Sequence, residues 1–176
     1  MEKARSNFYK SLNTILSKIG TNKTLHIILK TFDTKCVPLL TYGVAASLAE
    51  GKELDKMTFA YNSVFFKLFN VKSKKEIAFA QLHCGFLDFS NLQNLYRLSF
   101  LSKLAKNGSI NNKSKLDELD WLEYKRLLNF YGINESTSIQ CIKSAIYSYS
   151  ESVQSSIYWF CNPFKFCKHI SCVGSS

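Results

Sequence analysis

The chain has 176 residues, of which 46% are hydrophobic and 20% charged. That composition suits one domain, or two small helical ones, with a buried core, and excludes a disordered tail. Lys and Arg total 23 against 13 Asp and Glu, a formal charge of +10 that favours an anionic partner, either nucleic acid or a membrane surface. Only two Pro and seven Gly exclude collagen-like and loop-rich architectures.

Taken in chain order, the apolar spacing is helical nearly throughout. Phe8, Leu12, Ile15 and Ile19 follow an i, i+3, i+4 rhythm, and Gly20 is a natural stop. A second helix is expected from a cap at Thr24, through Leu25, Ile28, Leu29 and Phe32, toward Ala49. Pro38 lies inside it. Its ring removes one backbone donor and crowds the preceding turn, so the helix is expected to kink or break there. Gly43 adds a second weak point. After the connector Glu50-Gly51-Lys52, a third helix carries Leu54, Met57, Tyr61, Val64, Phe65 and Leu68.

Ser73-Lys74-Lys75-Glu76 has the form of a capping box and opens a short helix that stops at Gly85. Asp88 offers a further cap for a helix over Leu92–Lys106, apolar on most sides and so expected to be central. Residues 107–115 are polar and predict a loop between a helical region over 1–106 and helices over 116–160. Leu116–Tyr131 carries Asp117, Glu118 and Asp120 at its start and Lys125 and Arg126 toward its end, and Gly132 closes it. A last helix is expected from a cap at Asn134, over Glu135 to about Phe160, before a Cys-rich tail over 161–176. No segment shows sustained two-residue alternation. The expected fold is all-α, a bundle of about six to seven helices.

The sequence offers little for catalysis. Metal-dependent phosphoryl transfer needs paired carboxylates. No two of Asp33, Asp55, Asp88, Asp117 and Asp120 are adjacent, and the glycines stand singly rather than in a phosphate-binding loop. Asp117 and Asp120 sit where a helix start favours acids in any case. His83 and Cys84 are neighbours, which on a helix points them about 100° apart, so they are not expected to act as a nucleophile–base pair. The chain is expected to be non-catalytic and without a cofactor.

The most apolar window, Cys36 to Ala49, is shorter than the roughly 18 residues of a membrane span, and Lys30, Asp33 and Lys35 bound it upstream. The first residues lack the apolar run of a signal peptide. Neither secretion nor membrane insertion is expected. Cys36, Cys84 and Cys141 sit singly in apolar patterns, as reduced buried thiols do, which points to a cytoplasmic or nuclear setting. Cys161, Cys167, His169 and Cys172 match a zinc inventory, but their C-x5-C-x-H-x2-C spacing is not a standard knuckle, so no metal is assigned.

Basic residues recur on the first helix, at Lys3, Arg5, Lys10 and Lys18, and again from Lys56 to Lys75. Lys72, Lys74 and Lys75 flank a helix start, whose exposed N–H groups would add to their charge as a phosphate cradle. Lys10, Lys18, Lys67, Lys72, Lys74 and Lys75 are the candidate phosphate-binding residues. Binding of this kind is salt-sensitive and blind to base sequence.

Several stretches share one context. Residues 7–13 with Ile15-Leu16-Ser17-Lys18-Ile19-Gly20 come first, then Cys36-Val37-Pro38-Leu39-Leu40-Thr41-Tyr42-Gly43. Phe59-Ala60-Tyr61-Asn62, Phe65-Phe66-Lys67-Leu68-Phe69, Cys84-Gly85-Phe86-Leu87 and residues 95–101 follow. In order and spacing they resemble the region just after the polymerase core of non-LTR (LINE-type) retrotransposon reverse transcriptases, over roughly residues 5–105. The resemblance implies a thumb and post-thumb region, whose helices hold the template–primer duplex, an RNA–DNA hybrid. It implies that the catalytic aspartates lie upstream of what this sequence covers, as in a truncated or degenerate copy. Where the family usually carries Glu two residues after the Tyr-Gly pair, Ala45 stands here. A thumb without its palm would expose an apolar face, so self-association is expected. Two alternatives remain open: a helical protein-interaction module with a solvated basic face, and a small zinc-dependent nucleic-acid binder using the Cys-rich tail.

Overall fold

A computed structural model describes residues 2–19, 25–42, 50–71, 73–107 and 117–158. Among these residues the fold is all-α, a bundle of seven helices with no strand. Helix α1 is Glu2–Ile19. Helix α2 covers residues 25–41 and has three parts: an α-helical stretch Leu25–Thr31, a π-helical stretch Phe32–Cys36, and an α-helical stretch Val37–Thr41. Helices α3 (Gly51–Phe69), α4 (Lys74–His83), α5 (Phe89–Asn107), α6 (Glu118–Tyr131) and α7 (Ile139–Tyr158) complete the order.

The disturbance expected at Pro38 lies just upstream of it, as the π-helical stretch. Proline cannot donate to the carbonyl four residues back and crowds it. The helix widens instead, and the Val37 N–H reaches back five residues to the Phe32 carbonyl. Threonine hydroxyls bond the carbonyls of this region: Thr31 to Ile27 at 2.7 Å, Thr34 to Lys30 at 2.9 Å and Thr41 to Val37 at 3.0 Å. The wider turn advances less per residue, so Phe32, Cys36 and Leu40 all end fully buried on one face. Gly43, Thr24, Gly20 and the 107–115 loop fall wholly or mostly outside the described residues, as does the Cys-rich tail over 161–176.

The local signals explain most helix ends. Ser73 and Glu76 form the expected capping box. Asp88 accepts from the Asn91 N–H at 3.0 Å, which starts α5 at Phe89, three residues before the apolar run suggests. Asp117 caps α6 through the Glu118 N–H at 2.7 Å. Gly132 closes α6 in the left-handed region, φ 64°, and there the Ile133 N–H bonds the Leu128 carbonyl at 2.9 Å. Helix α7 begins later than expected. Asn134 instead makes a turn, its carbonyl taking the Thr137 N–H at 3.0 Å, and Ser138 bonds the Cys141 N–H at 3.3 Å.

Two apolar clusters form the interior. The first joins α1 to α4 and the start of α5 around aromatic rings that meet edge-on or tilted, with Phe8, Phe32, Tyr61, Phe65 and Phe89 buried together. The second joins α5, α6 and α7 around Leu98, Leu101, Tyr124, Leu128, Ile142 and Ile146. Helix α5 is central: it packs on α3, α6 and α7, and Leu92 touches both clusters. The α4–α5 connection threads between them. The Tyr61 hydroxyl donates to the Leu87 carbonyl at 3.1 Å, and the Tyr147 hydroxyl to the Gly85 carbonyl at 3.2 Å.

Ser102 breaks the apolar rule. Its side chain is fully buried in α5 and its hydroxyl has no hydrogen-bond partner among the described residues. A buried hydroxyl without a partner costs about 1–3 kcal/mol in lost hydration. Ser102→Ala is therefore expected to raise stability by about 1 kcal/mol in urea denaturation, with an unchanged dependence on denaturant. A loss of stability would show that the hydroxyl is in fact bonded.

Candidate nucleic-acid interface

The first helix sorts its side chains by angle. Phe8, Leu12 and Ile15 face the core. At about 100° per residue, Lys3 and Lys10 fall on the opposite, outward stripe, seven residues apart. Both are exposed. Lys18 is also exposed but turned about 80° from Lys10, and Asn13 flanks the stripe on the other side. Lys67, exposed near the end of α3, donates to the Asn13 carboxamide at 3.1 Å. One bond thus brings the α3 lysine beside the basic stripe of α1.

Lys67 also stands close to the turn into α4. Helix α3 ends at Asn70, whose left-handed backbone, φ 50°, reverses the chain within a few residues. Lys74 and Lys75 then open α4, both exposed. Lys72 lies outside the described residues. Lys10, Lys67, Lys74 and Lys75 thus occupy α1, the end of α3 and the start of α4. Lys18 is set apart from Lys10 by its turn around α1.

The expected phosphate cradle at the start of α4 has another occupant. The Lys75 N–H donates to the Ser73 hydroxyl at 3.2 Å, and the Ser73 N–H donates to the Glu76 carboxylate at 3.1 Å. These backbone donors serve the capping box, and Glu76 brings a negative charge to the same place. Lys74 and Lys75 would therefore act on a phosphate through their ammonium groups rather than with a ring of backbone N–H groups.

Other charged and reactive groups are arranged for packing. Glu53 and Lys56 make a surface ion pair at 2.8 Å. The His83 ring bonds back to the Phe79 carbonyl at 3.1 Å and lies 3.8 Å from the Phe79 ring centre, so it follows its own helix. Burial pushes the Cys84 thiol up to about 11, which keeps it protonated at neutral pH. Among the described residues, no three His, Cys, Asp or Glu come together in a group that could hold a metal ion. Cys161, Cys167, His169 and Cys172 lie outside them. Among the described residues, no helix is long and apolar enough to cross a membrane.

The main feature that spacing did not reveal is an ion-pair network. Arg97, 5% exposed, bonds Glu123 from Nε at 2.9 Å and from Nη2 at 2.8 Å, and Asp120 from Nη2 at 2.5 Å. Asp120 thus does more than favour a helix start. Its partner lies 23 residues earlier, on a different helix, and no local pattern marks the pair. No protein-family model, curated protein or solved structure matches the chain.

Proposed function

We propose that this chain is a non-catalytic binder of nucleic-acid backbone, with an RNA–DNA hybrid as the favoured ligand. The observation that carries the reading is the bond between Lys67 and Asn13, which gathers basic side chains of α1 and α3. The surplus of ten positive charges supplies the attraction, and the resemblance to a retrotransposon thumb supplies the hybrid. Binding of this kind releases counterions, so affinity falls steeply with salt.

Binding to a labelled hybrid duplex, measured across a range of salt, tests it. The logarithm of affinity is expected to fall linearly with the logarithm of salt concentration. Lys67→Gln, Lys74→Gln and Lys75→Gln together are expected to weaken binding and to flatten that slope by about one unit for each phosphate left without its lysine. No binding at low salt, or a slope unchanged in the triple variant, would overturn the proposal. A protein-interaction module is the second reading. It rests on α6, where Leu119, Leu122 and Phe130 are 73%, 59% and 55% exposed.

A further inference from the structure

An open cleft of about 430 Å3 lies where the two apolar clusters meet, between α2, the α4–α5 turn, α5 and α7. Its size falls in the range of small-molecule sites, which favour such seams. The floor is apolar, made by Leu29, Val37, Phe86, Leu92 and Leu95. Tyrosine rings of two helices add flat walls, Tyr96 from α5 and Tyr147 from α7, while Tyr61 of α3, 1% exposed, lies beneath the floor. The Tyr147 hydroxyl is already committed to the Gly85 carbonyl, as that of Tyr61 is to Leu87. Tyr147 therefore offers a ring face rather than a new donor.

The polar capacity sits on the rim. Lys30 and Lys143 line it from α2 and α7, and both are exposed. Neither has a carboxylate within ion-pair distance among the described residues. Lys143 lies over the Tyr147 ring, 5.7 Å from its centre. Asp33 is the acidic residue of the lining, and His26 stands one helical turn before Lys30. Two ammonium groups against one carboxylate leave a net attraction for a single negative charge, and Asp33 opposes a second. Cys84 lines the cleft as a protonated thiol, a poor nucleophile at neutral pH.

We infer that this cleft binds a small aromatic carboxylate, its flat ring on the floor between the tyrosines and its carboxylate between Lys30 and Lys143. Apolar area and ring faces supply the affinity, and the lysines select the charge. The inference is independent of nucleic-acid binding, because none of the lysines assigned to the duplex lines the cleft.

Calorimetric titration of the full chain with 2-naphthoate tests it, beside neutral 2-naphthalenemethanol and dianionic 1-naphthyl phosphate at pH 8. Saturable naphthoate binding below about 1 mM is expected, weaker for both analogues. In Lys30→Gln/Lys143→Gln, naphthoate affinity is expected to fall about tenfold, while the neutral analogue is unaffected. Both lysines are exposed, so the variant is expected to melt as the parent does. Absence of saturable binding would overturn the inference. So would tighter binding of the phosphate, or a variant that binds naphthoate as well as the parent.

Discussion

Replacing Phe32 with alanine is expected to destabilise the protein by about 3–5 kcal/mol. Phe32 is fully buried. Its ring centre lies 6.2 Å from Phe8, 5.7 Å from Tyr61, 6.1 Å from Phe65 and 5.7 Å from Phe86. It is the common neighbour of α1, α3 and the α4–α5 turn, so its removal empties the centre of the first cluster. The π-helical stretch makes collapse harder, because the backbone of residues 32–36 is held by Pro38 and by threonine hydroxyls. A loss of this size is a large part of the 5–15 kcal/mol typical of a folded domain. Phe32→Leu keeps most of the volume and is expected to cost less than about 1.5 kcal/mol. Urea denaturation of both variants measures the difference. A Phe32→Ala loss below about 1 kcal/mol would mean that the first cluster is not closed around this ring.

Arg97→Ala is expected to cost about 3–5 kcal/mol, by a different route. The side chain is 6% exposed and holds two carboxylates, those of Asp120 and Glu123. Truncation leaves both acids on the same face of α6, facing a gap and each other. Glu123 suffers most, because its side chain is only 17% exposed against 34% for Asp120. The sign reverses if the acids go too. Arg97→Met with Asp120→Asn and Glu123→Met removes every charge and leaves no unpaired amide at the more buried acid, and apolar replacement of a buried ion-pair network is often neutral or stabilising. The triple variant is therefore expected to recover most of what Arg97→Ala loses. Equal losses in the two variants would show that stranded carboxylates are not the source of the Arg97→Ala loss, and would overturn the paired-charge account.

How much of this was legible in the sequence follows from the range of each interaction. The capping box at Ser73 and the stop at Gly132 depend on residues within one turn, and spacing alone placed them; Asp117 was read as part of a helix from Leu116, whereas it caps one that starts at Glu118. Pro38 was legible as a disturbance but not as a π-helical stretch, because the widening depends on how Phe32, Cys36 and Leu40 meet α1 and α3. Asn134 was a sound cap by type, yet it closes a turn onto Thr137 and Ser138 accepts from the Cys141 N–H instead. Among the candidate lysines, composition gave the charge but not its grouping. Lys67 comes beside α1 through Asn13, 54 residues away, and Lys18 turns aside by helical angle. The cleft was illegible for the same reason, since its walls come from four helices.

The joint between the two clusters has a bearing on experiments in salt. The polar bonds that tie the α4–α5 connection to either side come from phenol hydroxyls, those of Tyr61 and Tyr147. Burial raises both phenols above the ordinary tyrosine range, and carries Tyr61 well above it, so they stay uncharged donors well into alkaline solution. Neutral bonds and apolar packing are not weakened by charge screening, whereas the interactions of the exposed lysines are. Raising the salt thus quiets the surface without screening the bonds that hold the α4–α5 connection. A fall in duplex affinity along such a series then reports on the ligand's departure, uncontaminated by parting of the halves.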